Sequence, residues 1–200
     1  MRGPNPELEK RIRQTGLALL LEKEPEEIGM REIACACGIS ATTIYYYHED
    51  KDSLFEAIKL DCIGEMDDYI RSRAETEETA LARIRTGYRA FRDWCFAHPR
   101  IALLVMGKLK ANRSAPPEVL ERYYRSNDFA RRLLELAVAE GSLRCDDTRL
   151  ANALFVAGVW GAIESVLLNR TDPDYWGKGV YFTDRMIDLL IPAEAGKETL

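Results

Sequence analysis

The sequence is poor in the residues that most often do chemistry. It has two histidines, His48 and His98, and neither sits in a His-Glu-x-x-His or Glu-x-x-His pattern, so neither a zinc-protease nor a di-iron bundle ligand set can be built. There is no glycine-rich phosphate loop, no repeat and no low-complexity tract. No catalytic constellation emerges, and an enzyme is not expected. The five cysteines, Cys35, Cys37, Cys62, Cys95 and Cys145, are odd in number and scattered, with no signal-peptide pattern before them. They read as reduced, mostly buried thiols in a cytoplasmic protein. Cys35-x-Cys37 resembles half of a metal site, but on a helix the two point about 200° apart, and no second pair completes four ligands. No metal and no cofactor are expected. Excess positive charge is also lacking: the net charge is −5, so any contact with a polyanion needs a local surface that the total conceals. The most apolar run, residues 151–168, is broken by Asn152 and Glu164 and is short for a bilayer. It reads as a buried helix, with no membrane contact.

What is present is helical spacing almost throughout. With 200 residues, 46% hydrophobic and 30% charged, the chain can bury a sizeable core in one or two domains. No alternating Val/Ile/Thr run reads as a strand, so an all-α fold of about nine helices is expected. Asn5-Pro6 starts a first helix that should run to about Glu24, where Pro25 ends it. A short helix over 30–37 buries Ile33, Ala34 and Cys37 and closes at Gly38. Ser40 caps a second short helix ending near His48, and Asp50 caps a long one over 51–72. Further helices are expected over 77–97, 100–110, 118–140, from Asp146 or Asp147 to about 169, and over 181–191, with a loop at 112–117 and a frayed tail at 192–200. Short helices give way to long ones near residue 50, which places a boundary between a domain at 1–53 and one at 54–200.

The stretch GISATTIYYYHEDKDSL, residues 38–54, sharpens this. Three successive tyrosines on one helix point in three directions about 100° apart, so no single core face takes all of them. Two short helices joined by a Gly-containing turn, on a supporting helix, form a helix-turn-helix. Thr42, Thr43 and Tyr46 would then face the major groove, and the hydroxyls of Tyr45 and Tyr47 would reach flanking phosphates.

At this point MREIACACGISATTIYYYHEDKDSLFEAI resembles the DNA-binding signature of the TetR family of bacterial transcriptional regulators. A short helix ends in Ala34 to Ser40, the recognition helix ends in Tyr45 to His48, and Lys51 opens the next helix. EGSLRCDDTRLANALFVAGVWGAIESVLL is also similar to the family's passage between its last long helices. Two positions depart from the pattern: His48 stands where a large aromatic is usual, and Gly29 where a Thr usually caps. The resemblance implies base contacts by Thr42, Thr43 and Tyr46. It implies phosphate contacts by Tyr45, Tyr47, Lys51 and the helix start at Ser40 and Ala41, with Arg31 on the preceding helix as a further DNA-binding residue. Against this, residues 1–53 carry seven basic and ten acidic side chains, a balance of −3.

The resemblance further implies a C-terminal domain whose helices enclose a small, largely apolar effector. Cys62, Met66, Tyr88, Phe91, Trp94, Tyr123, Phe155 and Val159 are its candidate contacts. The helix from Asp147 to Asn169 is apolar nearly all round, with small residues that admit a second helix, so Leu154, Ala157, Gly158, Gly161 and Ser165 are candidate homodimer contacts. The whole reads as a ligand-responsive repressor that binds double-stranded DNA at a palindromic operator. The alternative is a helical small-molecule binding or structural protein whose helix-turn-helix contacts protein.

Overall fold

A computed structural model describes residues 5–109 and 114–191. Among these residues there are nine α-helices and no strand. Of the expectations above, Lys110, residues 112–113 of the loop and the tail at 192–200 lie outside the described residues.

Helix α1 spans Pro6–Leu20, and its Asn5 cap accepts from the amides of Glu7 and Leu8 at 3.0 and 3.4 Å. It stops short of Glu24 because the amides of Glu22 and Lys23 both turn back to the Leu19 carbonyl. The Pro25–Glu27 segment then forms a single 3₁₀ turn. Helix α2 is Met30–Ala36 and α3 is Ala41–Tyr47. Between them the amide of Ile39 bonds the Ala34 carbonyl and that of Gly38 bonds the Cys35 carbonyl, both at 3.0 Å. This is a Schellman closure, and it requires the left-handed φ of +67° that Gly38 supplies. Helix α4, Lys51–Ala74, begins where Asp50 and Ser53 exchange backbone-to-side-chain bonds of 2.7 and 3.2 Å.

The chain divides into two compact units, Met1–Gly64 with Arg100–Pro116, and Glu65–Pro99 with Pro117–Leu200. A boundary at residues 53 and 54 would fall in the first turn of α4. The first unit also takes in most of α6, Pro99–Leu103, and the π-helical turn Leu104–Lys108 that follows it. Lys59 anchors that segment by donating to the Leu109 carbonyl, and Lys108 pairs with Glu24 at 2.5 Å. The helix expected over 100–110 is therefore half α and half π.

In the second unit, α5 (Ala80–Ala97), α7 (Pro117–Ala139), α8 (Thr148–Leu167) and α9 (Gly179–Leu190) pack with the end of α4. The expected inner face of α5, Leu81, Ile84, Tyr88, Phe91 and Cys95, is buried. Arg85, Arg89 and Arg92 ladder along α5 to Asp184 and Asp188 of α9, with Arg92–Asp184 at 2.6 Å and Arg89–Asp184 at 3.1 Å. Helix α8 departs from the buried helix that was expected. It is long and apolar enough to cross a membrane by length and composition, yet only 28% of that apolar window is buried.

Candidate nucleic-acid interface and effector domain

Helix α3 turns one of its seven residues fully inward. Ile44 is fully buried, whereas Tyr45 and Tyr46 are 51% and 61% exposed. Thr42 is exposed, and Ala41, Thr43 and Tyr47 are half-buried. Ser40 caps the helix by accepting from the Thr43 amide at 3.1 Å, and the two hydroxyls lie 2.8 Å apart. Tyr46 stands edge-on to Tyr47 with ring centroids 5.4 Å apart. The Tyr47 hydroxyl accepts from the Asn5 amide at 3.0 Å, which ties the end of α3 to the start of α1. Of the three tyrosines, Tyr47 therefore does the packing, and its own proton remains to be donated.

Arg31 and Ser40 are also exposed. The Lys51 ammonium donates to the Pro25 carbonyl at 3.2 Å and lies 5.8 Å from the Phe55 ring centroid. Other cations of this unit are also paired: Arg13 with Glu9 at 2.8 Å and Asp61 at 2.6 Å, and Lys23 with Glu32 at 2.5 Å. Neutralised in this way, they add little to the field around α3. Burial pushes the Lys59 ammonium below the usual lysine range.

The second unit holds most of the expected effector residues. Met66, Tyr88, Phe91, Trp94 and Val159 are buried, and Tyr123 and Phe155 are half-buried. Cys62 is buried within the first unit. Tyr88 meets Phe155 edge-on at 6.3 Å, and Phe91 meets Trp160 at 6.4 Å. The Tyr88 hydroxyl donates to Asn152 Oδ1 and Asn152 Nδ2 donates to the Asn127 carbonyl, both at 3.2 Å. These bonds join α5, α8 and α7 through the apolar interior. Burial raises the Tyr88 phenol well above its ordinary value and pushes the Cys95 thiol up to about 12, so both stay protonated.

A second polar cluster was not singled out in the sequence. Asp67 on α4 is buried and accepts from the Ser126 hydroxyl and from Arg125 Nε at 3.2 Å. Burial raises its carboxyl above the usual range, and Ser126 and Arg125 pull it back. The signal was available: Ile63, Met66, Asp67 and Ile70 share one helical face. Near Asp67, the Arg71 guanidinium lies 4.6 Å from the Phe129 ring centroid and donates to the Arg125 carbonyl at 3.1 Å.

Of the candidate dimer residues, Leu154 is 56% exposed and Ala157 is exposed, while Gly158, Gly161 and Ser165 are half-buried. Gly158 faces its own chain, since a Cβ there would lie 2.9 Å from Leu190 Cδ1 of α9. Gly161 opens onto empty space, and the Ser165 hydroxyl bonds its carbonyl at 2.7 Å.

Residues 12–58 match the family model of bacterial regulatory proteins, tetR family. No curated protein matches the sequence. Among solved structures, FadR from Bacillus subtilis in complex with stearoyl-CoA is 15% identical, with a TM-score of 0.72 over 92% of this chain and 97% of that one. AibR in complex with isovaleryl coenzyme A and operator DNA is 19% identical, with a TM-score of 0.69 over 92% and 98%. Superantigen PfiT is 19% identical, with a TM-score of 0.73 over 96% and 100%. At such identities the likeness establishes the fold and leaves function to the residues. The chain carries the TetR-family segment at residues 12–58 on a TetR-like fold, an N-terminal helix-turn-helix followed by a helical C-terminal domain.

Proposed function

We propose that the chain is a cytoplasmic transcriptional repressor that binds a palindromic operator as a homodimer and is released by a small, largely apolar effector. One observation carries the DNA half of this reading: α3 buries Ile44 and turns Tyr45 and Tyr46 outward beside an exposed Thr42. A seven-residue helix that presents hydroxyls and ring edges to solvent suits base edges and phosphates. The effector half is supported by the aromatic interior around Tyr88, Phe91 and Trp160, and by the acyl-CoA thioesters held by FadR and AibR. Leu150, Leu154, Val180, Tyr181 and Leu189, exposed on α8 and α9, supply an apolar surface for a second copy.

The test of DNA binding is selection of duplexes from a randomised pool, followed by fluorescence anisotropy across salt concentrations. A palindromic consensus with salt-dependent affinity is expected, and no enrichment above background would refute the reading. Tyr47→Phe removes both the donor and the bond to Asn5, so it should weaken selected and random duplexes alike. The expected loss is about 0.5–1.5 kcal/mol per protomer. Lys51→Ala should instead flatten the salt dependence by about one charge per protomer. Unchanged binding in both variants would remove these side chains from the interface.

The acidic balance of residues 1–53 favours a second reading, in which the helix-turn-helix docks on a basic protein surface. In that case the selection fails at low salt as well. The effector arm is tested by calorimetry with isovaleryl-CoA and stearoyl-CoA, with and without the selected duplex. Coupling of about 1–3 kcal/mol is expected, equal in both directions. Identical affinities in the two titrations would separate the domains functionally.

A further inference from the structure

His48 ends the recognition helix, and its amide closes that helix on the Ile44 carbonyl at 3.0 Å. The residue is 7% exposed, and Nε2 is buried with no hydrogen-bond partner. The charges acting on it come from two other helices: Glu9 and Arg13 of α1, and Asp61 of α4. Those three are already committed to one another, with Arg13 bridging the two carboxylates at 2.8 and 2.6 Å. A proton added at the ring would therefore sit in the interior, close to a guanidinium. The two carboxylates that act on it are both already paired with Arg13.

We propose that His48 is an acid-sensitive latch of the helix-turn-helix unit: neutral, it holds the end of α3 against α1 and α4, and protonated, it opens that junction. Tyr47 is the next residue back, so opening also strains its bond to Asn5 and loosens the tyrosine row.

The direction with pH follows from burial, which lowers the affinity of this ring for a proton below the ordinary 6.5. The opened unit then binds more proton than the closed one between those two values. Stability is complete above 6.5 and falls as the pH drops from 6.5 toward the lower, closed-state value, by up to tenfold in the opening constant per pH unit. The effect on stability stands without any assumption about DNA, and its effect on an operator rests on the function proposed above.

The experiment is hydrogen exchange of the α3 amides in the full chain, corrected for the intrinsic rate, at pH 7.5, 6.5 and 5.5. In the wild type the opening constant should rise less than about twofold between 7.5 and 6.5 and more steeply, by up to about fivefold, between 6.5 and 5.5. In His48→Phe, which restores an aromatic at this position, it should stay flat. A flat wild-type profile, or the same rise in both proteins, overturns the latch. If His48→Phe does not fold, an NMR titration of the wild-type His48 ring decides: a midpoint below 6.5 is expected, and one at 6.5 or above overturns the proposal. Acid opening without any selectable DNA would leave the latch standing and remove only its regulatory use.

Discussion

Replacing Ile44 with alanine should destabilise the helix-turn-helix unit by about 2–5 kcal/mol and abolish operator binding at concentrations where the wild type saturates. The reason is the small size of α3. Seven residues make about two turns, too few to be stable in water alone, so the helix exists through what it buries. Ile44 is its one fully buried side chain apart from the capping His48. The Ser40 cap and the Gly38 turn orient the helix, and neither supplies apolar area. Losing Ile44 therefore leaves Tyr45, Tyr46 and Tyr47 present but unaimed. Ile44→Val, which removes one methyl, should cost about 0.5–1.5 kcal/mol and preserve binding. Urea unfolding followed by tyrosine fluorescence reads the first quantity, and anisotropy on a selected duplex reads the second. Full affinity in Ile44→Ala would show that α3 is held by something other than this contact.

Features settled within a few residues were legible in the sequence. The Asn5, Ser40 and Asp50 caps, a cap at Asp146 or Asp147, the turn at Gly38 and the inner face of α5 follow from spacing and capping chemistry, and the structure has them, with Asp147 as the cap of α8. The surplus tyrosines also had to leave at least one ring exposed, and Tyr45 and Tyr46 are the two. Features decided across the chain were not legible. The Lys51 ammonium meets Pro25, and Lys59 meets Leu109, through contacts that no local pattern encodes. The arginines of α5 look like a solvated stripe until α9 brings Asp184 and Asp188 to them. Helix α8 shows the limit of hydropathy most clearly. Its composition says that it needs cover, and whether that cover comes from its own chain depends on the other helices.

That question about α8 yields the second large effect: Gly161→Leu should convert the protein into a folded monomer, whereas Gly158→Leu should damage the protomer itself. Both glycines lie on the same helix, three residues apart, and sequence alone treats them as equivalent. In the structure they are not. A side chain at Gly158 meets Leu190 of α9 at once, so a leucine there must displace it, a type of overpacking that costs about 1–3 kcal/mol. A Cβ at Gly161 meets nothing within 4 Å beyond its own helix's backbone, so a side chain there starts into open space. It extends instead from the helix that carries exposed Leu150, Leu154 and Ala157, where a partner helix would need close approach. Thermal unfolding should therefore show a lowered midpoint for Gly158→Leu at any protein concentration. For Gly161→Leu the midpoint should lose its dependence on concentration, since no dimer remains to be favoured by mass action. Analytical ultracentrifugation at micromolar concentration makes the decision: a Gly161→Leu protein that still sediments as a dimer moves the interface off α8. A monomer with intact helical content would also lose the palindromic operator, because one protomer offers a single recognition helix to a site built from two halves.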